Sequence, residues 1–268
     1  MQQPGRDQFI AEIVASAARL ADIARENDPD LPVPTCPDWN LRQLATHVGR
    51  VHRWAAEIVS TRAAERIPFD SAPDGTYPAG QAERAAWLNA GADRVIAAIM
   101  AAGDEPVWAF GRLAPASFWA RRQSHETMVH RADAELAVGT DVVLDAGLAA
   151  DGIDEWLASV TDPRYRQRGD GSGALPVGAA LAVRATGAGP AGEWLISSTA
   201  AGLRVQRDAA RQLEAGGQHG ARSADISVSG PADRLLLVLV RRRPSDDPAI
   251  TVTGDGALLI RWLAGTPF

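Results

Sequence analysis

Apolar residues recur through the first half of the chain at spacings of three and four, the period of a helix that buries one face. Phe9, Ile10, Ile13, Val14, Ala17, Leu20, Ala21 and Ile23 define a first helix over about Asp7 to Glu26. Pro29, Pro32 and Pro34 then forbid helix and favour an extended connection. Thr35 and Asp38 stand in the spacing of a capping box, and a second helix is predicted from Pro37 to Ala64 with Leu41, Leu44, Ala45, Val48, Val51, Ala55, Ile58 and Val59 inward. Ile67 to Pro78 contains Pro68, Pro73, Gly75 and Pro78 and reads as a loop long enough to cover something. A third helix runs from Ala79 to Ala102 and stops at Gly103. Glu105 to Gly111 is an apolar crossing to a fourth helix, Pro115 to Val138, which ends at Gly139. Trp108, Phe110 and Trp119 read as core aromatics or as the aromatic wall of a ligand site. Four long helices with proline-rich connections predict an antiparallel bundle.

After Gly139 the periodicity changes. Gly147 to Thr161 is one more amphipathic helix, and Asp162 to Gly173 reads as a linker rich in Arg, Gly and Asp. Ala179 to Thr186, Glu193 to Thr199, Gly202 to Asp208 and Asp225 to Ser229 alternate as strands do. The end reads helix (Pro231 to Arg242), strand (Ala249 to Thr253), helix (Asp255 to Leu263). The expectation is therefore two domains: an all-α four-helix bundle over 1–145 and a small α+β domain over 146–268.

The fourth helix carries an unusual stripe. Trp119, Arg122, Glu126, Val129, Asp133 and Leu136 share the face expected to meet the core, and half of them are ionisable. Burying an unpaired charge costs several kcal/mol, so these groups need partners. Glu126 and His130, four residues apart, lie about 40° from each other around the axis and can converge on one point. Such a pair either holds a metal or belongs to a satisfied polar cluster. His125 and Glu126 begin like a zinc-protease H-E-x-x-H motif, but His130 follows His125 by five residues, about 140° around the axis, so those two imidazoles cannot share an ion. His47 flanks the apolar stripe of the second helix. It is either a packed core histidine or a third ligand, and in the second case the nitrogen and oxygen donors leave an open metal position, as catalytic zinc does. His52 points elsewhere, to the surface or behind the ligands.

Composition narrows the chemistry. The chain is 46% hydrophobic and 22% charged, which places it among globular proteins. No apolar run approaches the ~20 residues of a membrane span, and the N-terminus lacks the pattern of a signal peptide, so a cytoplasmic location is expected. A net charge of −6 argues against nucleic-acid binding. All 27 basic residues are Arg, which removes Schiff-base and lysine general-base chemistry. The single cysteine, Cys36, excludes an internal disulfide and a Cys-rich zinc site. On a helix starting at Pro37 it would lie roughly 16 Å along the axis from His47, too far to act as a nucleophile there.

Thr35-Cys36-Pro37-Asp38-Trp39 with Leu44-Ala45-Thr46-His47-Val48, followed by the run from Arg122 to Glu135, resembles the mycothiol-dependent maleylpyruvate isomerase family, which belongs to the DinB-like metal-binding bundles. Ala224 to Asp233 and Thr251 to Asp255 resemble that family's sterol-carrier-like C-terminal domain. The resemblance implies a divalent metal, usually zinc, on His47, Glu126 and His130. It also implies mycothiol as the thiol cofactor, activated as thiolate for cis–trans isomerisation of, or S-transfer to, a small electrophile. Arg122 is then either the anchor for a substrate carboxylate or the partner of Glu126 in an intrahelical pair, and Asp133 either a support for His130 or a helix-surface acid paired to a neighbouring Arg. The alternative is a non-catalytic metal-retaining protein that binds an apolar ligand or partner through its C-terminal domain, with the run Leu235 to Val240 as a cavity wall.

Overall fold

The computed structural model describes residues 4–162, 175–188, 192–207 and 224–266. The chain divides into two compact units, Pro4–Val142 and Val143–Phe268. In the first unit, α1 (Arg6–Glu26), α2 (Leu41–Ser60), α3 (Gln81–Ala102) and α4 (Ser117–Ala137) form a four-helix bundle. α1 and α2 each pack against α3 and α4, so the order around the bundle is α1, α3, α2, α4.

Side-chain pairs give the directions. Phe9, Ser16 and Arg19 of α1 meet His125, Arg131 and Glu135 of α4 in rising order, so those helices are parallel. Trp54 meets Trp119 whereas His47 meets Glu126, so α2 runs against α4. Gly49 lies against Trp87 and His52 against Gly91, so α2 and α3 are parallel. The bundle is thus up-down-down-up, not alternating as the sequence led us to expect. The difference comes from the connection 61–80. α2 is about 30 Å long from its rise per residue, and an extended connection of this length can return the chain along it.

α2 also starts later than the sequence pattern suggested. Its cap is Asn40, which accepts from the Gln43 amide while the Gln43 side chain accepts from the Asn40 amide. Asp38 has φ 71°, left-handed and incompatible with a helical first turn. The segment before it folds on itself through the Pro32–Asn40 bridge and the bond from Val33 N–H to the Trp39 carbonyl at 2.9 Å. Glu105 to Gly111 is likewise more than a crossing. Pro106–Trp108 (β1) pairs with Leu113–Pro115 (β2), joined through Phe110 (φ 51°) and Gly111 (φ 88°). Two positive-φ residues make the tight turn that matches strand twist, and Phe in the first place hid a signal that Asn would have given.

In the second unit, α5 (Ala146–Thr161) precedes a five-stranded sheet of β3 (Ala180–Thr186), β4 (Glu193–Thr199), β5 (Gly202–Arg207), β6 (Ile226–Pro231) and β7 (Thr251–Gly254). The order is β5-β4-β3-β6-β7, with β3 and β6 parallel and the other pairs antiparallel. α6 (Ala232–Leu239) follows β6 directly, and α7 (Gly256–Gly265) closes the described chain. Leu235 to Val240 are all buried, α6 packs on α5 and β6, and Trp156 meets Trp262 edge-on at 5.4 Å. Most of the expected linker, 163–173, lies outside the described residues, as does Asp208.

The α2–α3 contact is close because two glycines face it. A Cβ on Gly49 would stand 1.9 Å from the Trp87 ring, and one on Gly91 would stand 2.6 Å from the Arg53 guanidinium. That guanidinium lies 4.0 Å over the Trp87 ring and donates to the carbonyls of Gly49 and Trp87. Gly49→Ala is therefore expected to lower the unfolding free energy by about 1–3 kcal/mol, the usual cost of overpacking, despite alanine's better helix propensity. Denaturant titration measures it, and an unchanged or raised midpoint would show that the two helices can separate at no cost.

Candidate metal centre

α4 is buried on nearly every side, which a single core-facing stripe does not predict. Gln123, Ser124, Thr127, Met128 and Ala132 are buried along with Trp119, Val129 and Asp133. Each side of the helix has its own polar solution. Toward α1, Arg131 donates to Ser16 Oγ at 3.0 Å and to both oxygens of Glu135 at 3.2 and 3.1 Å, and Arg19 adds a bond to Glu135 at 3.3 Å. His125 also faces α1, edge-on to Phe9, and so points away from Glu126's partners.

Toward α2 stands His52, fully buried, so that of its two expected places, at the surface or behind the ligands, the surface is excluded. The Thr127 hydroxyl donates to the Gln123 carbonyl at 2.6 Å, so it accepts from His52 Nε2–H at 2.8 Å. His52 Nδ1 is buried with no hydrogen-bond partner among the described residues. Burial, reinforced by Arg53, pushes this imidazole down to about 4.

Between these sides the expected ligands meet. His47 Nε2 is 3.0 Å and His130 Nε2 3.3 Å from the same oxygen, Glu126 Oε1. One ligand atom from each residue lies within 4.8 Å of the others. Arg122, the expected carboxylate anchor, donates from Nη2 to the other oxygen, Glu126 Oε2, in an ion pair across one helical turn. Burial opposes the charge on Glu126, but Arg122, with His130 and His47, outweighs it and holds the carboxyl well below its usual range. Asp133 is completely buried and accepts from His130 Nδ1–H at 2.8 Å. Burial disfavours a charged His130, yet the hydrogen bonds with Asp133, Cys36 and Glu126 raise its pKa well above normal. The centre has aromatic walls. Trp39 lies 4.9 Å from the His47 ring and 6.1 Å from the His130 ring, and Phe69, from the 61–80 connection, lies 6.4 Å from His47. Trp54, Trp108, Phe110 and Trp119 continue the cluster away from the ligands.

Cys36 is not where a helix starting at Pro37 would put it. Because the chain turns back before Asn40, its Sγ is 3.3 Å from Asp133 Oδ2, in a second group formed by Cys36, His130 and Asp133. Cys36 therefore lies beside His130 and not about three turns away from the centre. Thr35, expected as a helix cap, donates instead to Asp133 Oδ1 at 2.6 Å.

Two imidazole nitrogens and a carboxylate oxygen, converging where an arginine keeps the carboxylate ionised, fit a divalent cation of zinc type. Residues 10–135 match the family model of the mycothiol maleylpyruvate isomerase N-terminal domain. That match spans nearly the whole of the first unit and less than half of the chain. Two solved structures are similar to it over 94% of this chain and 96% of theirs. One is a mycothiol-dependent maleylpyruvate isomerase at 15% identity and a TM-score of 0.50, and the other a histidine-to-alanine mutant of that enzyme at 14% and 0.56. At such identity the likeness is one of fold. No curated protein sequence matches the chain. No helix among the described residues is long and apolar enough to cross a membrane.

His52 gives the bundle a pH dependence. Its folded pKa is depressed, so the unfolded chain takes up a proton that the native state refuses. The stabilisation is complete above an unfolded value near 6.5 and is lost as pH falls toward about 4, by about 3 kcal/mol in all. Denaturant midpoints measured from pH 7 to 4 should fall more steeply in the native protein than in His52→Gln. Parallel curves would mean that His52 protonates freely in the folded state.

Proposed function

We propose that this chain is a cytoplasmic, metal-dependent enzyme that uses mycothiol at the His47–Glu126–His130 centre to isomerise, or transfer the thiol to, a small electrophile. The observation that carries this reading is the convergence of three donor atoms from two helices on one point, in a unit that matches the mycothiol maleylpyruvate isomerase N-terminal domain. When bound there, a divalent ion such as zinc supplies Lewis acidity and lowers the pKa of a coordinated thiol, so that thiolate is present at neutral pH.

The chain's own residues prepare the rest. Two imidazoles and one carboxylate would balance only part of a dication's charge, which would favour an anionic partner such as a thiolate beside His47, Glu126 and His130. Arg122 holds Glu126 by its outer oxygen and so keeps Oε1 turned toward the histidines. Its guanidinium has further N–H donors, and these are the proposed anchor for a substrate carboxylate. Trp39 and Phe69 exclude water from the flanks of the site, which strengthens electrostatic interactions within it. The carrier reading gains no comparable support, since the apolar run Leu235 to Val240 is packed as ordinary core.

Metal analysis of purified protein tests the proposal. The native chain should hold about one divalent ion, and His47→Ala, Glu126→Ala and His130→Ala should each lose it together with mycothiol binding and turnover of maleylpyruvate or a general electrophile. Circular dichroism should still show a helical bundle. Full occupancy in His47→Ala or His130→Ala would refute the ligand assignment, and a metal-free native protein that binds mycothiol would refute the mechanism.

A further inference from the structure

We infer that Thr35 and Cys36 are positioning residues: through the buried carboxylate of Asp133 they fix the orientation of His130, so that the turn before α2 sets how tightly the centre binds its metal. The inference rests on the metal reading above. Asp133 has no exposed surface and collects three donors from two parts of the chain: His130 Nδ1–H at 2.8 Å, the Thr35 hydroxyl at 2.6 Å and the Cys36 thiol at 3.3 Å. A carboxylate has about four lone-pair sites, and a buried one left short of donors carries a desolvation cost of several kcal/mol. With only the His130 bond, Asp133 would have reason to turn away. Thr35 on Oδ1 and Cys36 on Oδ2 hold its plane in place.

The consequence passes to the imidazole. Asp133 is one turn beyond His130 on α4, and its bond to Nδ1 leaves Nε2 directed at Glu126 Oε1. The turn that brings the two donors also brings Trp39, whose ring stacks 6.1 Å from the His130 ring with 29° between their planes. That turn is closed by backbone bonds from Cys36 N–H to the Val33 carbonyl and from Trp39 N–H to the Cys36 carbonyl, each 3.0 Å. One short segment thus restrains His130 both in the plane of its ring, through Asp133, and in its tilt, through Trp39. In this arrangement the sulfur of Cys36 matters as a carrier of a proton. A hydroxyl in its place would serve equally.

Zinc affinity, measured by chelator competition, and the nitrogen and Nδ1-proton resonances of His130 in the metal-free protein test this together. Asp133→Asn should weaken zinc binding about 10–100-fold, the usual effect of losing a partner behind a ligand. Thr35→Val and Cys36→Ala should each weaken it by a smaller factor, several-fold, with the melting temperature of the metal-free protein not following the same order. Cys36→Ser should keep affinity within about twofold of native. Native affinity in both Thr35→Val and Cys36→Ala overturns the inference, and so does a Cys36→Ser variant as impaired as Cys36→Ala. If the native protein takes up no zinc, the metal reading fails and the affinity claim with it. The resonances separate that case, because a His130 Nδ1 proton that Asp133→Asn leaves unshifted refutes the clasp whatever the zinc result.

Discussion

A carboxylate inside a helical bundle survives as an anion only where positive charge or strong donors surround it, and in this chain that demand falls three times on α4. Glu126 is met by Arg122 and two imidazoles, Asp133 by an imidazole, a hydroxyl and a thiol, and Glu135 by Arg19 and Arg131. Breaking a buried pair typically costs about 3–5 kcal/mol, comparable to a large share of a domain's stability, so these partnerships fix which side of α4 meets which neighbour. The ion pairs on the α1 side are structural. The same requirement on the α2 side gathers two imidazole nitrogens and a carboxylate oxygen within 4.8 Å of one another.

Much of this was legible in the sequence, for reasons that also explain what was not. Helix existence came from apolar spacing, and Glu126 with His130 came from their shared position on one face. His47 could be reached only as a candidate, since periodicity says where a side chain points but not what stands opposite. The direction of α2 relative to α3 was hidden because it depends on where a long connection leads, which local pattern does not encode. Cys36 was misplaced because the helix start was read one signal too early. Thr35 and Asp38 have the spacing of a cap, but Asn40 and Gln43 perform it, and a left-handed Asp38 turns the chain back toward α4.

The second unit was read from simple alternation, and its strands fall close to where that alternation put them. The parallel pairing of β3 with β6 was beyond reach, because strands distant in the sequence declare no partner. The polar interior of α4 was similarly obscured. Gln123, Ser124 and Thr127 are residues that ordinarily mark an exposed face; Thr127 is fit for burial through its bonds to the Gln123 carbonyl and to His52, whereas Gln123 Oε1 and Ser124 Oγ are buried with no hydrogen-bond partner among the described residues.

Because α2 and α3 run the same way, the chain between them must travel the length of the bundle, and on that path it sets Phe69 beside His47. The donor side of the centre is built on two packed helices, α2 and α4. The opposite wall is built on a connection whose closure entropy grows only with the logarithm of its length. Insertions and deletions there can reshape what faces His47 without moving the three donors, so within one bundle the polar half of the centre is free to stay constant while the half opposite it diverges.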